Sequence, residues 1–178
     1  AFGASNIESG STHQARNLGG SVNPDFKGGT LKLDTATTIS NDFTFEDYSG
    51  NTIDENGHAV TFSGAMTGAG GMVFSDTVGG GSATLTSSGN TYSGATTINS
   101  SATLLLNGAG TIASSSSLTN YGTFDISQTT SGATIVSLAG AGSVILGSQS
   151  LTITSGAGTF SGAISGSGGL TLTGGSQY

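Results

Sequence analysis

The sequence predicts an all-β chain wound into a parallel β-solenoid of roughly seven to eight coils, and three observations carry that reading. Gly, Ser and Thr supply 88 of the 178 residues, with 32 Gly, 29 Ser and 27 Thr. The 34% of the chain that is hydrophobic is nonetheless gathered into short, β-branched, alternating runs bracketed by Gly, Asn or Ser, the pattern of strands between turns. One phrase is also written twice: "TFSGAMTGAGGMVF" (61–74) and "TFSGAISGSGGLTL" (159–172) agree at eight of fourteen positions, at an offset of 98 residues. Internal self-similarity of this kind marks a stacked repeat.

In chain order, the strand-like runs are "TLKL" (30–33), "FTFE" (43–46), "AVTFS" (59–63), "ATLLL" (102–106), "ATIVSL" (133–138), "SVIL" (143–146), "SLTIT" (150–154) and "LTLT" (170–173). No window places apolar residues at i, i+3, i+4 and i+7 among good helix formers, so helix is not expected. Turn signals every eight to twelve residues suit sandwiches, barrels and solenoids alike. The Gly-Ala-Gly trios at 68–70, 108–110, 140–142 and 156–158 favour the solenoid, whose corners need conformations that only glycine adopts cheaply. An antiparallel sandwich is the alternative. With coils of roughly 20 to 25 residues, rungs about 4.8 Å apart would make a rod of roughly 35 Å. The expected core is Phe62, Ile98, Leu104, Leu106, Ile112, Phe124, Ile126, Ile135, Val144, Leu146, Leu151, Ile153, Phe160, Ile164 and Leu170.

Charge narrows the function. Arg16, Lys27 and Lys32 are the only cations, nine of the ten acids lie at or before Asp76, and beyond it the sole charge is Asp125. Nucleic acid is excluded as a partner, because that affinity rests on Lys and Arg neutralising phosphates. An anionic membrane surface is disfavoured for the same reason. No stretch approaches the roughly 18 to 20 apolar residues of a spanning helix. Cysteine is absent, so stability has to come from backbone ladders and stacking rather than disulfides.

Three stretches carry a family resemblance: "NTIDENGHAVTFSGAMTGAGG" (51–71), "LTSSGNTYSGATTINSSATLLLNG" (85–108) and "LTITSGAGTFSGAISGSGGLTLTGGSQY" (151–178). They resemble the passenger-associated transport repeats of bacterial autotransporters, over residues 51–178. The resemblance implies a right-handed parallel β-helix, extracellular on the surface of a Gram-negative bacterium. It also implies that the parent is anchored by a carboxy-terminal outer-membrane β-barrel, which this segment does not contain. Tyr92 is followed by "SGATTIN" but Tyr178 by nothing, so the chain is expected to stop within a repeat. Residues 1–50 depart from the pattern and read as a cap, an irregular segment or first coils.

The densest group of titratable residues is "DFTFEDYSGNTIDENGH" (42–58), with Asp42, Glu46, Asp47, Asp54, Glu55 and His58. It reads as a solvated acidic turn, since its spacing matches neither an EF-hand loop nor a calcium-binding nonapeptide repeat. No metal and no cofactor is expected. A serine nucleophile lacks a base in a Gly-x-Ser-x-Gly elbow, and the regular part of the chain lacks the carboxylate pairs of glycoside hydrolysis. The expectation is therefore a non-catalytic surface module for adhesion or self-association, binding other copies of itself or cell-surface glycans and proteins. Tyr48, Tyr92 and Tyr121 are the candidate anchors, because aromatic rings stack on sugars and on each other. A structural spacer or self-stacking fibre subunit is the alternative reading, and the stalk of a secreted toxin or effector a third.

Overall fold

The computed structural model describes residues 6–15, 18 and 23–178. Among them there is no helix, and the strands form four sheets. The first sheet contains Asn6–Glu8, Asp25–Lys27, Phe43–Phe45 and Met66–Thr67. A second runs from Thr12–Ala15 through Thr30–Leu33, Thr52–Asp54, Met72–Ser75, Thr96–Ile98 and Leu118–Asn120 to Leu138–Gly140. The third begins at Thr37–Ile39 and continues through Ala59–Phe62, Ser82–Leu85, Thr103–Gly108, Thr123–Thr129 and Ser143–Gly147 to Ala163–Gly166. Ala133–Ile135, Leu151–Ile153 and Leu170–Leu172 make the fourth, which takes the first sheet's place in the order of the later coils.

Every strand ladder among these residues is parallel, and the Glu8–Gly28 bridge is an isolated antiparallel contact. The chain is a β-solenoid of about eight turns, which rules out the antiparallel sandwich. Thr30 pairs with Thr52, Val73 with Thr97 and Leu118 with Leu138, so one coil takes 22, 24 and 20 residues at these points. Described residues before position 51 join the same sheets as the rest.

Alternation along each strand decides what lies inside. Val60, Ala83, Leu104, Phe124 and Val144 pair in sequence down one inner column, and Ile39, Phe62, Leu85 and Leu106 down its neighbour. All nine are buried. Aromatic rings fill the first half of the core, where Phe26 meets Phe45 edge-on at 5.1 Å and Phe45 meets Tyr92 at 5.5 Å. Beyond Tyr92 the buried hydrophobic side chains are aliphatic apart from Phe124. Twelve of the fifteen expected core residues are buried, and Phe160, Ile164 and Leu170 are not. Ile164 continues the Val144 column and Leu170 the Leu151 column, but no further rung covers them, so they are 39% and 51% exposed.

Two details of the coil differ from the sequence reading. "ATIVSL" is two strands, Ala133–Ile135 and Leu138–Gly140, because the chain turns a corner at Val136 and Ser137. The repeated phrase is moved round by one face. Its first copy places Phe62 in the third sheet, Met66 in the first and Met72 in the second. Its second copy bridges Phe160 to the second sheet at Gly140, then places Ile164 in the third and Leu170 in the fourth. A strand–corner–strand phrase of small residues fits any face, because each face asks only for an inward apolar residue and a narrow corner.

The Gly-Ala-Gly trio at 68–70 shows what such a corner needs. Gly68 has φ 107°, in the region that favours glycine, and a Cβ on Gly70 would run into the Glu46 carbonyl of the preceding coil. One glycine bends the chain and the other lets two coils touch.

Candidate functional site

Asparagine side chains stitch coils where ladders are interrupted. Asn51, buried, accepts from the Gly28 amide at 2.7 Å and donates to the Glu46 and Gly71 carbonyls at 3.1 Å each, tying three successive coils. Asn90, also buried, accepts from the Met66 amide at 3.0 Å and donates to the Thr111 carbonyl at 3.2 Å. It bridges the stretch between the first and fourth sheets.

The acidic stretch is divided by the fold. Asp42, Glu46 and Asp47 are exposed, whereas Asp54 and Glu55 are buried at the corner between the second and third sheets, beside Asp76 of the next coil. The solvated-turn reading is thus corrected for Asp54 and Glu55. The carboxylate of Asp54 accepts from the Asn56 and Thr77 amides at 3.0 Å, from the Thr77 hydroxyl at 2.8 Å, and pairs with Lys32 Nζ at 3.3 Å. Burial pushes its pKa up, but these Thr77, Lys32 and Asn56 contacts together hold it below the ordinary value. Asp76 accepts from the amides of Gly57, Val78, Gly79 and Gly81 at 2.6–3.2 Å. Burial raises its pKa too, and the four amides outweigh it. Asp76 was not among the sequence candidates, because its partners are backbone groups of a corner that leaves no sequence signature.

Glu55 behaves in the opposite way. It is fully buried, one carboxyl oxygen accepts from the Thr103 amide at 3.2 Å, and the other has no partner. Burial pushes its pKa from 4.5 to about 8, against the Thr103 and Ala83 amides and with the help of the negative charges on Asp76 and Asp54. It is a neutral carboxylic acid near pH 7, sealed inside a corner and out of reach of any substrate. Among the described residues, no group of three or more His, Cys, Asp or Glu side chains converges in a way that could hold a metal ion.

The three tyrosine candidates separate. Tyr92 is buried, and its hydroxyl lies 2.7 Å from that of Thr96, which lies 2.8 Å from that of Ser115. Ser115 donates to the Gly94 carbonyl at 2.9 Å, so the proton order runs from Tyr92 to Thr96 to Ser115 to backbone. Burial raises the Tyr92 phenol well above its ordinary pKa. It is a core residue and not an anchor; a ring ending a polar turn carries no sequence mark of which way it points. Tyr48 and Tyr121 are 51% and 54% exposed. Each borders an open groove on the second sheet's outer side, Tyr48 with Asp47, Val73 and Thr97, and Tyr121 with Ser75, Asn99 and Ser101.

Beyond residue 76 the sole charged side chain is Asp125. Hydroxyls at Ser63, Thr86, Thr130, Ser161 and Thr173 donate to carbonyls of the preceding coil at 3.1–3.5 Å. Among the described residues, no helix is long and apolar enough to cross a membrane. No family model, curated protein or solved structure matches the chain.

Proposed function

We propose that the chain is part of a surface-displayed autotransporter passenger and works without catalysis, as an adhesion or self-association scaffold outside a Gram-negative cell. The observation that carries this reading is the outer surface: parallel columns of Thr, Ser and Asn with one charge, Asp125, after residue 76. Such faces approach each other with little repulsion. Each hydrogen bond across them contributes on the order of 1 kcal/mol net, so useful adhesion needs many in register or many copies on one surface. Beads or cells coated with the protein should clump, and clumping should persist at high salt because it does not depend on charge. Coated beads that stay dispersed at every density and also fail to bind cell or glycan surfaces would refute the reading.

The alternative reading is a spacer or stacking-fibre unit, in which the parallel ladders set coil on coil along one axis through the described residues. Uniform filaments by electron microscopy would support it, and discrete rods would count against it.

A further inference from the structure

The groove beside Tyr121 gathers outward polar side chains from three successive coils. Phe74 pairs with Ile98 and Ile98 with Asn120, so the next residues along, Ser75, Asn99 and Tyr121, form an outward column on three successive rungs. Backbone bonds from Asn99 to Phe74 at 3.0 Å and from Tyr121 to Ile98 at 2.8 Å fix that alignment. Ser100 and Ser101 widen the column toward the corner. Some outward hydroxyls, such as those of Thr86 and Thr130, donate to the coil before them, whereas the side chains of Ser75, Asn99, Ser100, Ser101 and Tyr121 have no hydrogen-bond partner within the described residues. Five polar side chains, one of them a half-exposed ring, thus face one groove with their hydrogen-bonding capacity unspent.

From this arrangement we infer a binding site for an uncharged oligosaccharide, which rests on the adhesion reading and names the ligand class at this face. A sugar ring offers an apolar face to a tyrosine and hydroxyls to amides and hydroxyls, and this groove supplies both kinds of partner. Rungs about 4.8 Å apart present those partners at a step comparable to one hexose unit. No cation lines the groove directly: Lys32, which donates to the lining Thr77 at 2.9 Å, is paired with Asp54, and the carboxylate in the lining, Asp76, is held ionised by four amides. Acidic sugars are therefore repelled. A peptide ligand fits less well, because the column lies within a sheet, with no free strand edge and no apolar pocket for alternate side chains.

The test is an NMR titration of the 178-residue protein with three probes: triacetylchitotriose, cellotetraose and the acidic trigalacturonate. A neutral probe should give saturable shifts confined to Ser75, Asn99–Ser101 and Tyr121, with trigalacturonate at least about tenfold weaker. Tyr121→Ala should weaken the neutral probe at least about tenfold, as loss of a central aromatic anchor does, while Tyr121→Phe keeps most of the affinity. Tyr121 is half-exposed, so its removal spares the fold, and circular dichroism checks that. No saturable shift at millimolar probe, or equal binding by wild type and Tyr121→Ala, overturns the site. Saccharide binding without clumping would refute self-association and leave the site standing, and clumping without saccharide binding would overturn the site and leave self-association standing.

Discussion

Replacing Glu55 with Gln removes a carboxyl that the folded chain holds neutral and the unfolded chain ionises freely. The folded pKa is about 8 against an ordinary 4.5, and at about 1.4 kcal/mol per pKa unit the upper bound on the effect is on the order of 5 kcal/mol. Between those two values the folded state binds more protons than the unfolded one, so stability falls as pH rises. Below about pH 4.5 the penalty is absent, and above about pH 8 it is complete. Asp54 and Asp76 have lowered values and act the other way, losing their contribution only as pH drops below the ordinary carboxylate range. Urea unfolding followed by circular dichroism, from about pH 5 to about pH 9, should show the wild type losing a few kcal/mol, while Glu55→Gln stays nearly level and is the more stable of the two at high pH. A wild type that is level or gains stability across this window, or a variant that parallels it, would refute the buried neutral acid.

Asn51→Ala strands the Gly28 amide and two carbonyls that its side chain now satisfies, and should cost about 3 kcal/mol by denaturant unfolding. Leu151→Ala, on a covered rung, should cost about 2–5 kcal/mol, whereas Leu170→Ala, one rung further and half-exposed, should cost under about 1 kcal/mol. Equal losses would mean that the last rung is covered. Gly70→Ala, driving a methyl into the Glu46 carbonyl, should lower stability by about 1–3 kcal/mol or more, read as a drop in midpoint temperature.

Much of the fold is written locally. Leu104, Leu106, Ile126 and Ile153 sit in alternating β-branched or leucine-rich runs, and alternation alone places them inside. The glycine trios likewise announce corners, since the need for a bend or a close approach is met at a single residue. Illegible features depend on which coil lies next door. Ile164 and Leu170 have the pattern of core residues and lack only a covering rung. Glu55 looks like a surface acid until Thr103, two coils on, is brought against it. Tyr92 resembles Tyr121 in its polar setting, and only stacking against Phe45 separates buried ring from exposed one. The shift of the repeated phrase by one face is hidden for a related reason: the identical words fix a corner, while the number of residues between copies fixes the face.

The central claim is that outward residues step along one axis, one rung per coil. Thr30, Thr52, Val73, Thr97 and Thr119 pair in succession on the second sheet. Spin labels at Thr30 and Thr119 should be four rungs apart, roughly 19 Å, and labels at Val73 and Thr119 two rungs, roughly 10 Å. Pulsed and continuous-wave electron paramagnetic resonance on the two double-labelled proteins should give that two-to-one ratio. Distances that fail to scale with the number of coils would contradict the parallel stack.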